Sequence, residues 1–223
     1  MMATTSLNSE PIFRTWPPPK LVPQNPKLEG ALRVRAFAEQ NALAMVEVRP
    51  AIVSGHSVTG ELDTAQPLYA LIENLVAGRL AMVPGTPDHW LPLVSVDVLV
   101  GLIAEASLVE SVPDRLLALD RTTPNLIGLL SLLAAHLEAR PPKHHMPMPL
   151  LALLLRLPGL ARLMRTSPES LSFLQTTRFD TQVTEQFSRQ IGLSWPPIAD
   201  SILATARCWQ TRAQSANVQP ASA

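Results

Sequence analysis

The chain has 223 residues, 47 % of them hydrophobic and 16 % charged, with a formal net charge of zero. That length and apolar content suffice for one domain with a real core. No basic surplus is available to neutralise phosphates, so nucleic-acid binding is not expected.

Residues 1–25 carry Pro17, Pro18, Pro19 and Pro23, and Pro26 follows. Prolines at that density block helix and ladder alike, so an irregular arm is expected over 1–25 and a folded domain over 26–213. Lys27 to Gln40 reads as a helix, with Leu32, Ala36 and Phe37 placed to share a buried stripe. Ala44 to Arg49 reads as a short buried strand ending at Pro50, which cannot donate to a ladder. Val53 to Thr64, with Gly55 and Gly60, reads as a loop. Ala65 to Ala77 has Leu68, Leu71, Ile72, Leu75 and Val76 on one helical face, and Gly78 ends it.

Leu80–Val83 and Leu91–Val94 flank a Pro-Gly-Thr-Pro turn as short extended segments. Ser95 or Asp97 can open a helix over Val96 to Ser107. Leu116–Leu119 is another short strand. Thr123 can cap the next helix with Pro124 in its first turn, and Leu126, Leu129, Leu130, Leu133 and Leu137 form its stripe. Pro149 to Arg165 forms one broken helix or two, and Thr166-Ser-Pro-Glu169 is a capping-box pattern. Asp180 to Ile191 aligns Val183, Phe187 and Ile191. Pro197 opens a last helix with Ile198, Ile202, Ala206 and Trp209 on one side, and residues 214–223 read as a disordered tail.

The pattern is α/β, mostly helical with a few short strands. Cys208 is the only cysteine, so no intrachain disulfide is possible. The start, Met1 to Ser9, has no apolar core of a signal peptide. The most apolar run, Met148 to Met164, is broken by Arg156, Pro158 and Arg162, so no transmembrane segment is expected. Together these readings favour a cytoplasmic chain. His144 and His145 are adjacent, which makes a poor chelate, so no metal site is expected and an exposed basic loop is the plain reading. A Ser/His/Asp set could be assembled from Ser54 or Ser57, His89 and Asp97, but no Gly-x-Ser-x-Gly elbow surrounds either serine.

Three ordered stretches carry a likeness. They are Val48-Arg-Pro-Ala-Ile-Val-Ser-Gly55 with Ser57-Val-Thr-Gly60; Val83-Pro-Gly85 with Leu93-Val-Ser-Val-Asp97; and Leu119-Asp-Arg-Thr-Thr-Pro124 with Glu169-Ser-Leu-Ser-Phe173 and Phe179-Asp-Thr181. In order and spacing they resemble the second half of extended short-chain dehydrogenase/reductases, especially the thioester-reductase-like branch. The resemblance implies a partial Rossmann-like fold, the carboxy-terminal and substrate-side half of an oxidoreductase. It implies NADP or NAD in a complete enzyme, a small-molecule or acyl substrate, and either a nucleotide-binding partner chain or self-association. It places Pro50, Ile52 and Val53 toward the cofactor, and Gly55, Thr59 and His89 on the substrate side. The same residues also read as a strand end, core positions and ordinary loop positions.

Two departures accompany the likeness. No Gly-x-Gly-x-x-Gly occurs in the 223 residues, so no phosphate-cradling turn is present in them. The family's Tyr-x-x-x-Lys pair is incomplete: Lys27 falls near the lysine's place, but the tyrosine's place falls near Pro23, and the only tyrosine is Tyr69. The expectation is a chain that binds no dinucleotide by itself and is inactive alone, or a non-catalytic binding or scaffold module descended from such an enzyme.

Overall fold

The structure is a computed structural model and describes residues 26–80, 82–154 and 173–218. The expected arm over 1–25, the helix beyond Leu154 and the capping box at Thr166 lie outside them. Within them the order is α1 (Pro26–Gln40), β1 (Glu47–Pro50), β2 (Ile52–Ser54), α2 (Pro67–Val76), β3 (Met82–Pro84), β4 (Leu93–Ser95), α3 (Val96–Leu108), β5 (Arg115–Ala118), α4 (Leu126–His136), β6 (His144–Met146), α5 (Met148–Leu154), α6 (Gln182–Gln190) and α7 (Ile198–Val218). This is a mixed α/β fold with short strands, all paired in parallel: β1 with β5, β2 with β4 and β3 with β6.

The sheet forks at Ala51. The Ala51 amide donates to Ala118 O on the β5 side, and the next amide, Ile52, donates to Pro92 O on the β4 side. The chain leaving β5 turns the same way, because the Asp120 amide donates to Leu93 O. β4 therefore sits between the two diverging chains. Pro50 suits the turn-over point, since a residue without an N–H leaves no donor stranded there. Val53 was expected to begin a loop. It lies instead in β2, whose three residues pair with Leu93, Val94 and Ser95.

Two apolar clusters flank this sheet. One gathers Leu68, Ile72 and Leu75 of α2, Leu126, Leu129, Leu130 and Leu133 of α4, and Ile198, Ile202 and Ala206 of α7. The helical spacing of those leucines anticipates this face, and each fully buried one contributes roughly 1.5–3 kcal/mol. The other joins Val94, Val98 and Leu102 to Leu116, Ala118, Trp90 and Phe187. Trp90 is fully buried and fastens three segments. Its backbone bridges Asn125 and Gln175, and its indole N–H donates to Thr177 O at 3.2 Å. The Arg178 guanidinium lies 4.0 Å over the ring, a cation–π contact, and donates to Thr123 O.

Several local expectations change. Asn125, not Thr123, caps α4, accepting from the Gly128 amide at 2.9 Å. Thr123 donates instead to Asp120 O at 2.6 Å. Ser95 is the cap residue of α3, but its hydroxyl meets that of Ser201 at 2.6 Å rather than a helix amide. His144 and His145 form β6 beside β3 rather than an exposed loop, because a parallel partner satisfies their backbone. On α6 the inward face is Thr184, Phe187 and Ser188, and Val183 is exposed. Thr184 faces inward because its hydroxyl accepts from the Leu117 amide, capping the outer edge of β5. Cys208 is half-buried, and α7 runs to Val218, past residue 213 where a tail was expected.

The largest change is at α1. Only Ala38 of this helix is buried among the apolar residues, while Leu32 and Phe37 stand exposed. α1 is held to the sheet by charge. The Arg35 side chain donates to Glu47 at 2.7 Å, Arg49 donates to the other Glu47 oxygen at 2.6 Å, and Arg115 of β5 lies 3.6 Å away. Burial opposes the ionisation of Glu47, but the hydrogen bond and charge of Arg49, with the charges of Arg35 and Arg115, hold its carboxyl below the ordinary 4.5. A carboxylate depressed in the folded state adds stability above its unfolded pKa and loses it as pH falls through the folded value. Glu47→Gln is expected to lower stability at pH 7 by roughly 1–3 kcal/mol. Below pH 4.5 the variant's melting temperature should fall less steeply than that of the parent. Parallel pH–melting curves for the two would contradict the arrangement.

Candidate functional site

In open α/β sheets, ligands gather outside the carboxyl ends of the strands. Here those ends are Pro50 of β1, Ser54 of β2, Ser95 of β4 and Ala118 of β5. Pro50 is exposed, and Ile52 and Val53 are half-buried. Ile52 packs on the α2–α4–α7 cluster and Val53 on the other, so both contribute to the core while lying at the fork.

The loop after β2 is shaped by close backbone packing. A side chain at Gly55 would meet the Thr205 hydroxyl of α7 and the Gly60 carbonyl. Gly60 has φ +71° and lies against the Ala204 carbonyl. The two glycines thus let the loop lie flat on α7, and Gly55 is buried rather than open to a ligand. Thr59 is exposed; its amide lies 3.4 Å from His56 Nδ1 and its hydroxyl accepts from the Glu61 amide. His56 Nδ1 also accepts from the Val58 amide at 3.1 Å, which folds the loop back on itself.

This loop delivers Ser57 to the start of α3. The Ser57 hydroxyl donates to Asp97 Oδ2 at 2.6 Å, and its amide donates to Asp97 Oδ1 at 2.9 Å. Burial opposes the charge on Asp97, but both Ser57 bonds, its own amide and nearby His56 hold its pKa below the ordinary 3.8. The serine and aspartate of the three-residue set considered from sequence do meet. His89 is engaged elsewhere: its Nδ1 lies 2.9 Å from both the Thr86 amide and the Thr86 hydroxyl, and its ring covers Gly85. The arrangement joins loop to helix and has no histidine between the serine and the aspartate, since His89 is engaged with Thr86, so it does not form a Ser/His/Asp triad.

At the end of β5 lies a cavity of ≈ 500 Å³, a size that accommodates small ligands. Leu119, Trp195, Pro197 and Ile198 form its apolar wall, and Asp120, Thr122 and Glu185 its polar side. Asp120 Oδ1 accepts from the Thr122 amide at 2.8 Å and from its hydroxyl at 2.6 Å. Glu185 accepts from Thr181 at 2.6 Å and lies 3.5 Å from Arg121. Sequence reading passed over this group because Leu119-Asp120 looks like a strand end, and Trp195 is remote from it in the chain. The Asp120–Thr122 spacing, an Asx-type turn after a strand, was the available signal.

Lys27 falls in the first turn of α1, with its side chain outside the described atoms, and Pro23 lies outside the described residues. Tyr69 is half-buried on α2 against the larger cluster. Among the described residues, no group of three His, Cys, Asp or Glu side chains could hold a metal ion, and no helix is long and apolar enough to cross a membrane.

Residues 24–103 match the model of an NAD-binding family described as male sterility protein. The fold is similar to the terminal R domain from the myxalamid PKS-NRPS biosynthetic pathway, with TM-score 0.63 and 20 % identity over 82 % of this chain and 48 % of that one. It is also similar to the reductase domain of the aureusimine biosynthetic cluster, with TM-score 0.61 and 16 % identity over 83 % and 49 %. RMD from Pseudomonas aeruginosa, solved in complex with NADPH, has TM-score 0.52 and 14 % identity over 87 % and 60 %. The chain spans about half the length of the first two. No curated protein matches it.

Asp97→Asn keeps the shape but weakens two hydrogen bonds to an ion, a loss of roughly 1–3 kcal/mol at pH 7. The Asp97 carboxylate stabilises above pH 3.8 and ceases to as pH falls through its lower folded value, so the variant's disadvantage should shrink below pH 3.8. Equal stability of both proteins at pH 7 in urea unfolding would contradict the Ser57–Asp97 bonds.

Proposed function

We propose that this chain, which has the extended short-chain dehydrogenase/reductase fold and fits its thioester-reductase-like branch, is the substrate-side half of an NAD(P)-dependent reductase. The observation that carries the reading is the fork at Ala51. It opens the carboxyl ends of β1, β2, β4 and β5 around β4, in a fold that two reductase domains share. In this reading the nicotinamide end of the cofactor lies against Pro50, Ile52 and Val53. A small-molecule or acyl substrate lies toward the loop of Gly55 and Thr59 and toward His89.

The residues present fit only that end of a dinucleotide. The 223 residues hold no Gly-x-Gly-x-x-Gly turn, and Gly55 and Gly60 are filled by packing against α7. In this reading the pyrophosphate is held by backbone amides other than those of the described residues. The proton-donating tyrosine that the resemblance implies has no counterpart at its place, and the one tyrosine, Tyr69, is half-buried on α2. Hydride and proton transfer both depend on groups outside these residues, and the chain by itself is inactive in this proposal. The packed position of Tyr69 also favours a second reading, a non-catalytic binding module that kept the fold.

Titration of the purified 223-residue chain with NADPH, followed by nicotinamide fluorescence, is expected to show no saturable binding below about 100 μM, weaker than −5.5 kcal/mol. Saturable binding at micromolar concentration would overturn the division of labour proposed here. Reduction of an acyl thioester by this chain together with a nucleotide-binding half would favour the reductase over the non-catalytic module. NADPH binding by that pair without turnover would favour the module.

A further inference from the structure

The cavity at the end of β5 brings together two unlike surfaces. Leu119 and Ile198, both buried, join Trp195 and Pro197 in its apolar wall. The Trp195 indole N–H donates to Ser188 Oγ at 3.0 Å, so the ring offers the cavity hydrocarbon and π-electron surface rather than a donor.

The polar side holds two carboxylates, each with one oxygen already engaged. Asp120 Oδ1 accepts from both the amide and the hydroxyl of Thr122. Among the described residues Asp120 Oδ2 accepts no hydrogen bond, and Asp120 forms no ion pair. Yet Asp120 is only 8 % exposed. Its Oδ2 is also not one of the described polar atoms sealed off without a partner, so it opens on the cavity that Asp120 lines. Glu185 follows the same pattern. Its Oε1 accepts from Thr181 and lies 3.5 Å from Arg121 Nε, while Oε2 has no partner among the described residues.

A carboxylate taken out of water calls for a cation or a full set of donors. Arg121 is directed to Glu185 and does not neutralise Asp120. A hard metal ion wants six or more oxygen ligands, and among the described residues no group of three His, Cys, Asp or Glu side chains could supply them. A metal ion also has no use for the apolar wall. An ammonium group on a hydrocarbon body uses both surfaces. Its three N–H donors suit Asp120 Oδ2 and Glu185 Oε2, and its body suits Trp195, Leu119 and Pro197.

We propose that the cavity between the end of β5 and the start of α7 binds a small organic ammonium ion with an alkyl or aryl body. Its volume of ≈ 500 Å³ is in the range of small-molecule sites. The site uses none of the residues assigned above to cofactor or substrate, so it is independent of the reductase reading.

The test titrates the full 223-residue chain with 2-phenylethylammonium and with hexylammonium, following the Trp195 indole N–H by nuclear magnetic resonance. 2-Phenylethanol and 3-phenylpropanoate keep the aryl body and change the charge. At least one ammonium ion is expected to saturate with a dissociation constant below about 1 mM. The neutral alcohol should bind at least about ten-fold more weakly than 2-phenylethylammonium, and the carboxylate not at all. Asp120→Asn keeps an oxygen for Thr122 but removes the charge, and should weaken ammonium binding at least about ten-fold. Glu185→Gln keeps an oxygen for Thr181 and should weaken it in the same direction. Should neither variant fold, the charge series on the parent chain decides alone. No saturation by either ammonium ion, equal affinity for the alcohol, tighter binding of the carboxylate, or unchanged affinity in both variants would overturn the proposal. So would displacement of the ammonium ion by calcium chloride beyond the effect of sodium chloride at equal ionic strength, which would mark a metal site.

Discussion

The transfer of hydrogen bonding at Ala51 governs the rest of the molecule. One strand runs along β5 to Pro50, and within one residue its amides address β4 instead. The loop that follows β2 is thereby aimed at α7 and at the start of α3, where Ser57 reaches Asp97. The chain after β5 is bent by the same wedge, which places Asp120 at the mouth of the cavity. A sheet that stayed paired through these residues would close the region in which ligands of α/β folds collect.

Two fastenings of different kinds keep the fork in place. Apolar packing joins α2, α4 and α7 on one side, and the buried Trp90 gathers the approach to β4, the cap of α4 and the segment before α6. Charge does the corresponding work at α1, where Glu47 ties Arg35 of the helix to Arg49 and Arg115 of the strands. Partly buried ion pairs hold position well but respond to pH, whereas apolar burial does not. The anchoring of α1 at Glu47, like the Ser57–Asp97 contact, is therefore sensitive to acid.

This division bears on function. The loops that the proposed reading places on the substrate side are closely packed, with Gly55 and Gly60 pressed against α7 and His89 folded onto Gly85. The side proposed to face the nucleotide presents the end of β1 and the exposed residues of α1. The cavity beside Asp120 and Trp195 is lined by residues of the same closely packed part.

Much of the helical architecture was legible in the sequence. The leucines of α4, most of the apolar face of α2 and the Ile198–Ile202–Ala206 row of α7 have a helical period and pack where that period points, while Val76 at the end of α2 stands exposed. The Arg49-Pro50 stretch and its successors likewise carried the family likeness. Periodicity shows which residues can be buried, but not what is available to bury them. That is why Leu32 and Phe37 were assigned to a core they do not reach, and why β2, only three residues long, passed for loop. Caps and turns were decided by competition: Asn125 displaced Thr123 because Thr123 found the Asp120 carbonyl, and Ser95 turned to Ser201 across 106 residues. The candidate site divides the same way. Its strand ends were visible as local patterns, while the pairing of Ser57 with Asp97 and of Asp120 with the Trp195 wall exists only after distant segments are brought together. The sequence by itself determined most of the described helices and the α/β class, because these depend on residues near one another in the chain. The fork and the cavity were decided by tertiary structure, because each depends on which distant segments are brought together.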